Sequence, residues 1–312
     1  MDFAELCGSM NLISVLPEYV KPKNVALMFF NPQPDTFFPY AQIDVVQFPE
    51  GDAGDKIIEQ TFTGPLHEQL RAALRYIRNV VITEQVVKVP GKAEADRFFN
   101  YPYEAIEEAL SNAVYHKGYD EREPIEVRVE KGMIEIISHP GPDRSVTLEG
   151  LRTFKVRSRR YRNRRIGEFL KELHLTEGRN TGFKKILDAL KKNGSPLPEF
   201  ETDEAHDYFI TRLFVRDGFY DYQNGVDNGA DNGADKLTDA AKALLVSYSA
   251  KKRYTAQRIL SALESNPQIT IAQMTADTGI AKRTIQRYLS EFQAAGILKR
   301  DGSDISGVWI II

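Results

Sequence analysis

The sequence predicts an α+β chain of more than one domain. A two-layer module with helices on one face of a sheet follows a smaller α+β segment and precedes a three-helix domain closed by a β-hairpin. Three observations carry this reading. A helical period organises Tyr101–Tyr119, YPYEAIEEALSNAVYHKGY. The strand-like runs of Ile125–Ser138 come directly after it. The acidic, Gly-rich repeat DNGADNGAD at Asp227–Asp235 then sets off a C-terminal segment with a helical period of its own.

The 312 residues suffice for two or three domains with real cores, and 42% hydrophobic with 27% charged residues is a soluble, globular composition. No apolar run is long enough to span a membrane, and the N-terminus lacks the layout of a signal peptide. The single Cys7 excludes an intrachain disulfide and a Cys-based zinc cluster, which makes a reducing cytoplasm the expected compartment. A net charge of −3 by itself argues against a polyanionic partner, but the distribution of charge argues for one.

Residues 1–95 read as a small α+β unit. Val25–Phe30, Tyr40–Phe48 and Lys56–Gly64 are β-rich runs separated by turn residues, and Leu66–Asn79 carries Leu66, Leu70, Leu74 and Ile77 at helical spacing. That helix is expected to cover one face of the sheet.

Residues 96–218 form the central module. Pro102 suits the first turn of its helix and Gly118 the stop. Ile106, Ala109, Leu110 and Ala113 make the apolar face, while Glu104, Glu108, Asn112 and His116 fall four apart along an adjoining stripe. A solvated face is the plain reading of such a stripe; a carboxylate and an amide aligned this way also suit water activation beside a hard cation. Ile125–Ser138 reads as a hairpin turning at Lys131-Gly132, after which Pro140, Gly141 and Pro142 break the strand. Gly178 and Gly182, with Arg179 and Lys184, would bring backbone N–H groups and charge to a phosphate at a helix N-terminus. Lys155–Arg165, KVRSRRYRNRR, holds seven cations in eleven positions without an acid, and Tyr161 within it could stack on a base. No GxxxxGK[ST] occurs, so a P-loop motor is not encoded.

The Glu108, Asn112, Ala113, His116 pattern resembles the N-box helix of the GHKL (Bergerat-fold) ATPases, and RNRRIGEFLKELHLTEGRNTG resembles their RecG-like C-terminal variant. The resemblance implies ATP and magnesium as cofactors. Glu108 would polarise the attacking water and Asn112 would hold the metal. His116 would belong to the same cofactor-binding set, His139, Gly141 and Asp143 would border the base, and Gly178, Arg179, Gly182 and Lys184 the phosphates. The family places an adenine-reading Asp where His139 stands, and Asp143 substitutes only if its loop folds back. NVALMFFNPQPDTFFPYAQIDVVQF with FTGPLHEQLRAAL resembles the later half of an AlbA/Schlafen-type domain, whose earlier half has no counterpart here.

A flexible linker is expected over 219–245, followed by an independent domain at 246–312. Ile259, Leu260 and Leu263 mark its first helix, Ile271–Thr278 its second, and Lys282–Ala295 a third with Ile285, Leu289 and Phe292 inward. A two-stranded wing with its tip at Asp301-Gly302-Ser303 completes it. IAQMTADTGIAKRTIQRYLSEFQAAGIL resembles the winged helix-turn-helix of bacterial regulators, and nine cations against five acids give residues 251–312 a charge of +4. Lys282, Arg283, Thr284, Gln286 and Arg287 on the third helix, with Lys299 and Arg300 on the wing, are the expected contacts to double-stranded DNA.

The chain is therefore expected to be a cytoplasmic, homo-oligomeric transcriptional regulator that binds duplex DNA and ATP and stays off membranes. An ATPase acting on DNA in repair or phage defence, or a degenerate ATPase fold kept for dimerisation, are the alternatives.

Overall fold

The structure is a computed structural model that describes residues 2–16, 19–49, 56–88, 95–156, 160–176, 182–217, 219, 244, 245, 248, 250–278, 280–302 and 307–312. It divides into two compact units, one of Met1–Val86 with Asp96–Phe214 and one of Val87–Ala95 with Val215–Ile312.

The first unit opens with α1 (Phe3–Ser9), whose N-cap Asp2 forms a capping box with Glu5. The hairpin β1 (Ile13–Leu16) and β2 (Tyr19–Pro22) follows, then α2 (Asn24–Phe30). The sheet is built from β3 (Ile43–Gln47) and β4 (Ile58–Phe62), with α3 (Leu66–Tyr76) packed on them. Two short strands, β5 (Glu84–Lys88) and β6 (Ala95–Phe99), lead to α4 (Tyr103–His116). Next come β7 (Ile125–Glu130), β8 (Met133–Ser138), α5 (Leu148–Arg152), α6 (Arg164–Glu172) and α7 (Gly182–Asn193). The strands β9 (Glu199–Glu201) and β10 (Phe209–Phe214) end the unit. The six-stranded sheet has the order β4-β3-β7-β8-β10-β9 and is mixed, because β3 pairs parallel with β7 while the other neighbours are antiparallel.

The sheet corrects two expectations. A boundary at residue 95 does not separate two folding units: Ile43, Val45 and Gln47 of β3 stand in register with Ile125, Val127 and Val129 of β7, so the early segment supplies the edge of the central sheet. Val25–Phe30 is helical rather than a strand. Val25, Met28 and Phe29 are its buried residues, at the spacing of one helical face, and Phe29 stacks on His67 at 5.7 Å. A six-residue apolar run without polar alternation fits either state, and packing against α3 decided it.

Helix α4 buries Ile106, Ala109, Leu110 and Ala113, as its period requires. It ends at His116, with Lys117 N donating to Ala113 O. Gly118 serves close approach more than termination, since a Cβ there would lie 2.6 Å from Pro140 Cδ. Tyr115 leans into α6, where Gly167 leaves the room its ring needs; a Cβ on Gly167 would overlap that ring.

The second unit contains α8 (Ala250–Ser265), α9 (Ile271–Thr278), α10 (Lys282–Ala294) and the wing strands β11 (Leu298–Asp301) and β12 (Val308–Ile311). Ile259, Leu260, Leu263, Ile285, Leu289 and Phe292 share one core with Trp309 of the wing. Gly302 follows β11 at φ +97°, a conformation glycine adopts without strain. Ser303 and most of the expected 219–245 linker lie outside the described residues. No helix among the described residues is long and apolar enough to cross a membrane.

Candidate functional site

A cleft of about 130 Å³ opens between the helices and the sheet of the first unit. Glu108, Asn112 and His116 line it from α4, whereas Glu104 at the head of the same stripe is exposed. Asn112 Nδ2 donates to Glu108 Oε1 at 3.2 Å, and Lys185 Nζ lies 3.6 Å from Glu108 Oε2. Gly182 closes this end: a Cβ on it would stand 2.7 Å from Glu108 Oε1 and 2.8 Å from Asn112 Nδ2. The lysine that meets the carboxylate is Lys185, one position beyond Lys184, which is exposed. Gly178 and Arg179 lie outside the described residues.

The opposite end is built by the loop after β8. Gly141, Pro142 and Asp143 border the cleft, so the loop does fold back. A Cβ on Gly141 would lie 2.6 Å from Tyr208 O and 2.7 Å from His206 O, so close packing on the β9–β10 connection accounts for that glycine. His139, expected at the base, is not among the cleft residues; its Nδ1 lies 3.0 Å from Asp207 O. Asp143 Oδ1 accepts from Ser145 N at 2.9 Å and Ser145 Oγ at 2.6 Å, bonds that hold its carboxyl below the usual range, with Arg160 adding at 3.8 Å. On the floor, Ser138 of β8 and Thr211 of β10 present hydroxyls that sequence reading did not single out. Thr211 stands in register with Ile136, two residues before Ser138, and this alternation is a signal the strand pattern contains.

The basic run divides by the partners its side chains take. Arg162 donates to the carbonyls of His116 (2.5 Å) and Gly141 (3.0 Å), tying the segment to the cleft rim. Asn163 Nδ2 donates to Tyr115 O at 3.0 Å and Lys117 O at 2.6 Å. Tyr161, expected to stack on a base, lies parallel to Tyr115 with centroids 5.1 Å apart. Lys155, Arg160 and Arg164 are exposed, while Arg157 and Arg159 are outside the described residues. Burial, and then the Arg162 charge, hold the His116 imidazole down to about 4, so it faces the cleft neutral at physiological pH. Burial likewise pushes Glu107 above the usual carboxylate range.

The residues fit the phosphate end of a nucleotide. Asn112 engages Glu108 through its amide nitrogen and keeps Oδ1 as the oxygen acceptor a hard cation takes. Among the described residues no group of three His, Cys, Asp or Glu side chains could hold a metal ion.

In the second unit, the buried face of α10 leaves Lys282, Arg283, Gln286 and Arg287 exposed together, with Thr284 partly covered. Arg287 Nε lies 3.9 Å from Glu291 Oε1, and its guanidinium covers the Tyr288 ring at 5.3 Å. Lys299 is exposed on β11, while Arg300 lies 4.6 Å over the Trp309 ring.

The described residues thus hold a module of helices over a mixed sheet and a domain of three helices and a two-stranded wing. A family model matches part of each. Residues 123–212 match the family model described as the putative ATP-dependent DNA helicase RecG C-terminal, and residues 252–299 match a winged helix-turn-helix DNA-binding model. The first match begins after α4, so Glu108, Asn112 and His116 lie outside it. The crystal structure of the DIP2311 protein from Corynebacterium diphtheriae is similar in fold at a TM-score of 0.54 and 19% identity. That likeness covers 100% of this chain, which spans 58% of that protein's length. No curated protein matches the chain.

Proposed function

We propose that this protein is a cytoplasmic transcriptional regulator in which α10 reads duplex DNA and the cleft of the first unit binds ATP with magnesium in the manner of the GHKL proteins. The observation that carries the DNA reading is the outward face of α10, where Lys282, Arg283, Gln286 and Arg287 stand exposed. Cations there neutralise phosphates, and Arg and Gln carry the paired donors and acceptors that base edges answer.

For the cleft, Asn112 would hold the metal, which when bound would screen the charge of the phosphates. Gly182 keeps the wall above Asn112 free of a side chain. Both Glu108 oxygens already have neighbours, Asn112 and Lys185, which favours binding over rapid turnover. The segment resembling an AlbA/Schlafen-type domain acts in this reading as a structural flank, since β3 and β4 extend the sheet. Selection of duplexes from a random pool by the purified protein tests the proposal. Enrichment of one sequence supports a regulator, and retention without sequence preference contradicts it.

A further inference from the structure

We propose that the base end of the cleft is read by two hydroxyls, Ser138 Oγ and Thr211 Oγ1, in place of a carboxylate, and that the site therefore accepts 6-amino and 6-oxo purine nucleotides alike. This rests on the reading of the cleft as a nucleotide site.

Ser138 is 3% exposed and Thr211 4% exposed, and both line the cleft. The register sets Thr211 opposite Ile136 and Ser138 opposite Phe209, so both hydroxyls belong to the sheet face that forms the cleft floor. Neither hydroxyl bonds to another described residue and neither is a buried, unsatisfied atom, so both open on the cleft. A hydroxyl that opens on the cleft is free to donate to or accept from a ligand there. The walls suit a flat heterocycle: Phe183 meets Phe200 edge-on at 4.5 Å, and Phe209 lies parallel to Phe200 at 6.1 Å.

Of the two carboxylates that line the cleft, Glu108 stands at the other end and Asp143 is engaged through Oδ1. His139 occupies the expected acidic position and is bonded to Asp207 O. Asp143 is tied to Ser145 and Arg160. A carboxylate only accepts, so it selects an exocyclic amino group; a hydroxyl donates or accepts by rotating and meets an amino or a keto group equally. A site built on rotating hydroxyls loses the discrimination that fixed hydrogen-bonding roles provide.

Calorimetric titration of the full chain with ATP and with GTP, each with magnesium, decides the matter. The expected Kd values agree within about threefold, and Ser138→Ala and the isosteric Thr211→Val each weaken both nucleotides by about tenfold. Should Thr211→Val fail to fold, the wild-type ratio and Ser138→Ala carry the test. A preference for ATP above about thirtyfold, or unchanged binding in Ser138→Ala, overturns the inference while leaving nucleotide binding in place. Binding of neither nucleotide at millimolar concentration overturns the nucleotide reading, and this inference with it.

Discussion

Gly182 and Glu108 meet so closely that a Cβ on residue 182 would stand 2.7 Å from the Glu108 Oε1 atom, inside the contact distance of any two such atoms. The first turn of α7 therefore presses its backbone against the polar stripe of α4. Since the atoms in the way are side-chain ends, Gly182→Ala is expected to displace Glu108 and Asn112 without unfolding the unit, and alanine favours the helix. Nucleotide affinity should fall about tenfold while the Tm stays within a few degrees, read by titration and thermal melting. Unchanged affinity would detach the α4 pair from the site.

Gly167 is the opposite case, because a Cβ there meets the body of the Tyr115 ring. Overpacking of this kind costs about 1–3 kcal/mol. Gly167→Ala should be destabilised by that amount in denaturant unfolding. Combined with Tyr115→Leu it should lose less than the sum of the single changes, since the clash exists only with the ring.

His116 gives a pH signature. Its folded-state pKa of about 4 lies below the unfolded 6.5, so the unfolded chain binds the proton first as pH falls. Stability is present in full above pH 6.5 and declines towards pH 4, by roughly 3 kcal/mol at most. Carboxylates held low in the folded state, such as Glu201, decline in the same direction, so the measurement is the difference from His116→Gln. The variant should show the shallower loss between pH 6.5 and 4.

Asn112 and Glu108 separate binding from turnover. Asn112→Ala removes the proposed metal-facing amide and is expected to abolish magnesium-dependent nucleotide binding. Glu108→Ala should leave affinity within about threefold and remove whatever hydrolysis the wild type shows, because a water-polarising carboxylate acts mainly in the transition state. Equal loss of binding in both would contradict these separate roles.

The long periodic elements were legible. Helix α4 and the three helices of the second unit bury the apolar positions their period selects, and the Lys131-Gly132 turn joins β7 to β8 as expected. The misreadings share a cause in non-local packing. Val25–Phe30 has no alternation to tell strand from helix, and the parallel pairing of β3 with β7 joins residues about eighty positions apart. Lys184 and Lys185 are neighbours separated by a 100° turn of the helix, so only the docking of α7 decides which one meets Glu108. His139 matched a family position in the sequence, but the β9–β10 connection draws its ring to Asp207.

Helix α10 is the proposed DNA-reading element, and the salt dependence of duplex binding tests this most directly. Each phosphate contact releases counterions and steepens the fall of affinity with salt. Arg283→Ala/Arg287→Ala removes two exposed cations from a helix whose core residues are untouched. The double variant should bind a selected duplex at least tenfold more weakly, with a log–log salt slope shallower by about two. Affinity and slope equal to those of the wild type would contradict the assignment of α10 to DNA.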